Sequence, residues 1–161
     1  MIHKKIFLFL LTIVLLVNAG LAQTRKPIFR SIDVSTVDKK RSIELGGDLT
    51  ANVDILIKAG DAFILNGNFG NTKRLSVLLT ETGKVREIIF DYGTSRNFAK
   101  LVEWYAKDFG KPMMNDGMSS AILKTRMVVW DDGKTRFEIV EKSENSQTTV
   151  SSVMIDKIHI K

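Results

Sequence analysis

Cysteine is missing from all 161 residues, and histidine occurs only at His3 and His159. Without a thiol there is no disulfide scaffold, thiolate zinc site, iron-sulfur cluster or cysteine nucleophile. His3 lies in a stretch read below as a removable leader, so a Ser/His/Asp triad would rest on His159, two residues from the end, where chains are poorly ordered unless tied down. The plainer reading is a solvent-exposed histidine on an edge strand. A histidine zinc site needs more than one imidazole unless carboxylates complete it, and neither a metal nor a cofactor is expected.

Other chemistry-bearing groups read as turns. Asp131-Asp132-Gly133 lacks the alternating acidic spacing of a calcium loop, and Asp and Gly are what a tight turn requires. Gly133-Lys134-Thr135 imitates the end of a phosphate loop, but position 128, where the first glycine belongs, is Val128. Gly67-Asn68-Phe69-Gly70 lacks the third glycine of a dinucleotide loop and follows an Asn-Gly hairpin signal. Carboxylates such as Asp91 and Glu103 could meet in a fold, which spacing alone does not show.

One constellation stands apart: Lys84, Arg86, Lys124, Arg126, Lys134 and Arg136 around Trp130. A three-residue Asp131-Asp132-Gly133 loop would pair Val129 with Thr135 and Met127 with Phe137 on the core face. The opposite face would then carry Lys124, Arg126, Trp130, Lys134 and Arg136, with Arg126 across from Glu138. A two-residue Asp132-Gly133 turn would mix charge into both faces. Cations interleaved with an indole suit an acidic protein or an anionic envelope component.

The elements that must position these groups follow from period. Leu49, Val53, Leu56 and Ile57 predict a first helix with Asp48 as N-cap and Gly60 as stop. Phe98, Leu101, Val102, Tyr105 and Phe109 predict a second, capped by Thr94 or Ser95 and ended by Gly110-Lys111-Pro112. Strands are expected at 62–65, 75–80, 85–90, 121–130, 134–141 and 149–155, and alternating Ile28, Arg30, Ile32 and Val34 suit an N-terminal one. A shift of fifty residues superimposes Gly60 on Gly110, Gly83 on Gly133, Lys84 on Lys134, Arg86 on Arg136 and Ile89 on Ile139. The expected fold is α+β: an antiparallel meander sheet with two helices on one face, built as a tandem of helix-then-sheet units at 43–92 and 93–161. Residues 23–42 form an extension or edge strand before this single domain, 43–161.

The start of the chain reads as a signal peptide over residues 1–22. Lys4 and Lys5 precede an apolar run from Ile6 to Val17, and Gly20-Leu21-Ala22 offers small residues at a cleavage site before Gln23. The run is too short to span a bilayer, which takes about 20 residues, so no transmembrane helix is expected in the mature protein, and no cysteine is present to carry a lipid anchor. Loss of Lys4 and Lys5 lowers the charge from +6 to +4, a mild excess that does not suggest nucleic acid. The expected location is periplasmic or extracellular.

The stretch Ile43-Glu44-Leu45-Gly46, then Val53, Leu56 and Gly60, and later Gly83-Lys84-Val85 with Ile88 and Phe90, resembles the helix-then-sheet unit of small bacterial envelope proteins of the SmpA/BamE-like group. The tandem architecture is similar to that of beta-lactamase inhibitory proteins. The resemblance implies protein binding without catalysis. Together these readings predict a non-catalytic exported binding module using the basic, Trp-containing face. The alternatives are a small carboxylate-dependent hydrolase, or a structural envelope component that self-associates through an edge near residues 149 to 158.

Overall fold

A computed structural model describes residues 26–36, 39–49, 54–65, 72–94, 97–120 and 123–159. The expected leader and its expected Ala22–Gln23 junction lie outside these residues. Two short strands, β1 (Ser31–Asp33) and β2 (Ser42–Glu44), form a small antiparallel ribbon. The others are β3 (Leu56–Ala59), β4 (Ala62–Leu65), β5 (Arg74–Leu79), β6 (Val85–Gly93), β7 (Met114–Ser119), β8 (Leu123–Asp131), β9 (Thr135–Glu144) and β10 (Gln147–Asp156). They make one antiparallel sheet in the order β3-β4-β5-β6-β10-β9-β8-β7. A single helix, α1 (Phe98–Phe109), is present among the described residues, and none there is long and apolar enough to cross a membrane.

This architecture overturns the two-helix expectation. Where the first helix was predicted, Leu56 and Ile57 belong to β3, and Gly60, at φ +62°, turns the chain into β4. Asp48 instead bridges to Lys84, and 50–53 lie outside the described residues. A short apolar cluster fits helix and strand periods alike, and pairing with a neighbour decides between them. The second helix forms as its stripe requires: Phe98, Leu101 and Phe109 are buried, and Val102 and Tyr105 pack against the core. Its N-cap is Asn97, whose side chain accepts from the Lys100 N–H, in place of Thr94 or Ser95.

The core follows the pleat. One row of directly opposed residues runs Phe63, Val77, Ile88, Met154, Phe137 and Trp130. The next runs Leu75, Phe90, Ser152, Ile139 and Val128. All but Phe63 are buried. Helix α1, the β1-β2 ribbon and the segment around Ile28 contribute to the same core, and the half-exposed Phe29 ring lies tilted, about 5–6 Å between ring centres, against Tyr105, Phe109 and Phe137. Packing on this one side leaves the opposite face of the sheet for other purposes.

The fifty-residue repeat aligns the β4-β5-β6 meander with β7-β8-β9 and matches glycines of positive φ at both turns, Gly60 with Gly110 and Gly83 with Gly133. It does not produce tandem helix-plus-sheet units. The second meander is laid down in mirrored order on the far side of β10, so equivalent residues face opposite sides: Ile88 is in the core while Glu138 is on the open face, and Ile89 is open while Ile139 is buried. Likewise β10, expected as an edge for self-association, is central between β6 and β9.

Candidate functional site

The basic residues expected on one face are dispersed. The β8-β9 hairpin closes through the Asp132 N–H to Thr135 carbonyl bond, with Gly133, at φ +93°, opening a two-residue turn over Gly133-Lys134. Asp132 sets this register, because its carboxylate accepts from the N–H groups of Lys134, Thr135 and Ile28. Trp130 therefore opposes Phe137, not a solvent-facing partner. It is 2% exposed, and its indole N–H donates to the Gly110 carbonyl at 2.8 Å. Arg126 opposes Glu141 instead of Glu138 and binds it at 2.7 Å, with its guanidinium 4.6 Å from the Phe98 ring centre.

The other cations point elsewhere. Arg136 lies on the opposite face and holds Glu138. Lys84 binds Asp48 at 2.8 Å and Arg86 binds Glu87 at 3.0 Å, at the β5-β6 end of the sheet. Lys134 is in the turn, where its carbonyl accepts from Arg30 and from the Lys157 N–H. Lys124 is exposed on β8 beside Ser119. No single basic surface results. The acids are equally occupied: Asp131 accepts from Gly133 N–H and binds Lys157, Asp91 pairs with Arg74, and Glu103 pairs with Lys107.

Sequence reasoning missed a polar cluster where β10 ends. Asp156 is fully buried. One of its oxygens accepts from Arg30 at 2.7 Å and from the Ile158 N–H, and the other accepts from His159 Nδ1 at 2.5 Å. Arg30 also donates to Thr135 Oγ1 and to the carbonyls of Lys134 and Leu45. Burial by itself would raise the Asp156 carboxyl, but the bonds from Arg30, His159 and Ile158 together hold it below the usual value of 3.8. Asp132 is likewise lowered: its three backbone N–H donors overcome the effect of burial. Gly46, at φ +78°, sits under the imidazole, where a Cβ would be 2.6 Å from Nδ1. The alternations Ile28, Arg30, Ile32 and Val150, Ser152, Met154, Asp156 carried the signal, because each places a charge on the buried parity.

A second arrangement is open to solvent. Across the sheet face away from α1, one row reads Ile64, Ser76, Ile89, Val153, Glu138, Val129 and Met114, each directly opposite the next. A parallel row reads Asp91, Ser151, Val140, Met127 and Asp116. Apart from buried Val129, the apolar members are half-buried or exposed, and no described element covers them. The rows end at β7, every residue of which is exposed, with Met114 at 44% and Met118 at 75%. No periodic apolar signal marks Met114–Ser119, which is why no strand was expected there.

No known protein family matches the chain, and neither does any curated protein. Among solved structures it is similar to a DUF4309 family protein, YjgB, from Bacillus subtilis, at 16% identity over 63% of this chain and 68% of that one, with a TM-score of 0.39. The single helix among the described residues and the continuous eight-stranded sheet overturn the resemblance to the SmpA/BamE-like group and to tandem inhibitory proteins. The similarity is too distant to assign a function.

Proposed function

We propose that this chain is an exported, non-catalytic binding module that takes a protein partner on the open face of its sheet. The observation that carries this reading is the uncovered row from Ile64 through Ile89 and Val153 to Met114. Accessible apolar side chains interleaved with polar groups and ion pairs are the composition of a protein interface. The charged members of these rows are Glu138, held by Arg136, Asp91, held by Arg74, and Asp116 at the β7 edge. Because Arg126, Arg136, Arg86 and Lys84 already hold carboxylates, an apolar protein surface fits better than an acidic protein or an anionic envelope component.

Replacing Ile89, Val153 and Met127 together by threonine keeps strand propensity while removing apolar contact area. Recovery of a crosslinked envelope partner should fall about tenfold, a loss of roughly 1.4 kcal/mol, with the circular dichroism spectrum unchanged. Undiminished recovery would overturn the reading. The export component predicts a mature N-terminus at Gln23, which mass spectrometry of the secreted or periplasmic protein checks directly.

A further inference from the structure

The two edges of the large sheet are unequal. Edge β3 has four residues, one of them Lys58, a charge of the kind that discourages strand addition. Edge β7 has six residues, Met114-Asn115-Asp116-Gly117-Met118-Ser119, all exposed, with no lysine, proline or covering element among the described residues. The hairpin to β8 closes through the Ser120 N–H to Leu123 carbonyl bond. By antiparallel alternation this leaves Asn115, Gly117 and Ser119 directing their backbone groups outward. Consistently, the Gly117 N–H is met only locally, by its own neighbour's carboxylate, Asp116 Oδ1, at 2.7 Å.

We propose that β7 pairs with β7 of a second copy of this chain, antiparallel about a two-fold axis at Gly117. The outward-facing residues permit that register, since Gly117 meets its symmetry mate and Asn115 meets Ser119 in hydrogen-bonded pairs. The intervening pairs are Asp116 with Met118, so the single charge of the strand never faces its own copy. Pairing like edges closes the assembly at two chains, whereas joining β7 to β3 would build an open array. Met114, Met118 and the neighbouring exposed Met113 supply apolar area at the junction. This inference concerns the edge and stands apart from the partner face.

The register is tested by charge. Met118→Asp places a carboxylate opposite Asp116 of the other copy, twice in the dimer, and like charges directly across a strand pair repel. Sedimentation equilibrium should show a dimer for the unaltered mature protein at high concentration. Its dissociation constant should rise about tenfold for Met118→Asp and stay level or fall for Met118→Lys. A strictly monomeric protein at about 1 mM, weaker than any useful dimer, would overturn the proposal, as would equal effects of the Asp and Lys substitutions. Because the chain lacks cysteine, Gly117→Cys offers an independent readout: it should crosslink into dimers under mild oxidation while Lys58→Cys does not. Equal crosslinking at both edges would assign the contact elsewhere. Monomer together with capture of a foreign extended peptide at β7 would give the edge to another protein and leave the open-face reading untouched. Undiminished partner recovery in the Ile89, Val153 and Met127 threonine variant, with the dimer intact, would do the reverse.

Discussion

The cluster at the end of β10 and the outer edge of β7 treat polar groups in opposite ways. At Asp156 both carboxylate oxygens and the surrounding guanidinium donors are matched, so that a fully buried charge is tolerated. At β7 the outward backbone groups meet no other strand among the described residues, and every side chain is exposed. A closed network ties the N-terminal segment, the β2 loop, the β8-β9 turn and the C-terminal segment into one unit, and it has little left to offer a ligand. An open edge contributes little to the monomer and presents donors and acceptors that another chain can meet. The polar groups that hold the molecule together are therefore distinct from those available for association.

Arg30→Met should have the largest effect on stability, because it leaves Asp156 buried without its main partner. The expected loss is about 3–5 kcal/mol, read from urea unfolding. If the loss were below about 1 kcal/mol, the cluster would behave as an ordinary surface pair, and the contrast with β7 would collapse. Gly46→Ala should follow at about 1–3 kcal/mol for a left-handed backbone position, with an added loss from displacing His159. In a His159→Ala background only the backbone part should remain, and a double-mutant cycle would separate the two.

Acid should act on the same region. Asp156 and Asp132 have folded pKa values below their ordinary ones, so their stabilising contribution is complete above the unfolded value and is lost as pH falls through the folded one. Unfolding midpoints should be level from neutrality to about pH 5 and drop below about pH 4, with the drop reduced in Arg30→Met. Trp130→Phe should cost about 1 kcal/mol through loss of the bond to Gly110, measured by thermal unfolding. Partner recovery should be unchanged, since the indole is buried. Smallest of all, Met118→Asp should alter monomer stability by no more than about 0.5 kcal/mol. A larger change would mean that β7 is part of the core after all.

Much of the sheet was legible in the residues. Apart from β7, the strands from Ala62 onward alternate or run apolar between turn signals, and the helix stripe at Phe98 to Phe109 is wide enough to leave no competing period. The β9-β10 turn also announced itself: Asn145 and Ser146 take positive φ in a two-residue hairpin within the polar stretch from Ser143 to Gln147. Leu49 to Ile57 misled because four apolar positions cannot separate a helix from the strand that Leu56 and Ile57 enter. The binding face misled through register alone. The structure pairs Trp130 with Phe137, while the expected loop paired Val129 with Thr135, and that change of parity carried the indole from solvent into the core.

By itself, then, the sequence determined the absence of thiol chemistry, most of the strands, the amphipathic helix at Phe98 to Phe109 and the turn glycines, because these depend on residue type and on contacts a few positions apart. Tertiary structure alone decided that β10 is central, that the second meander is laid down mirrored, that Arg30 meets Asp156 across 126 residues, and that β7 is left at the edge. Those outcomes depend on which strands pair and in what register, a choice made by the burial of the whole sheet and by side chains such as Asp132 that lock a turn, and no local period encodes it.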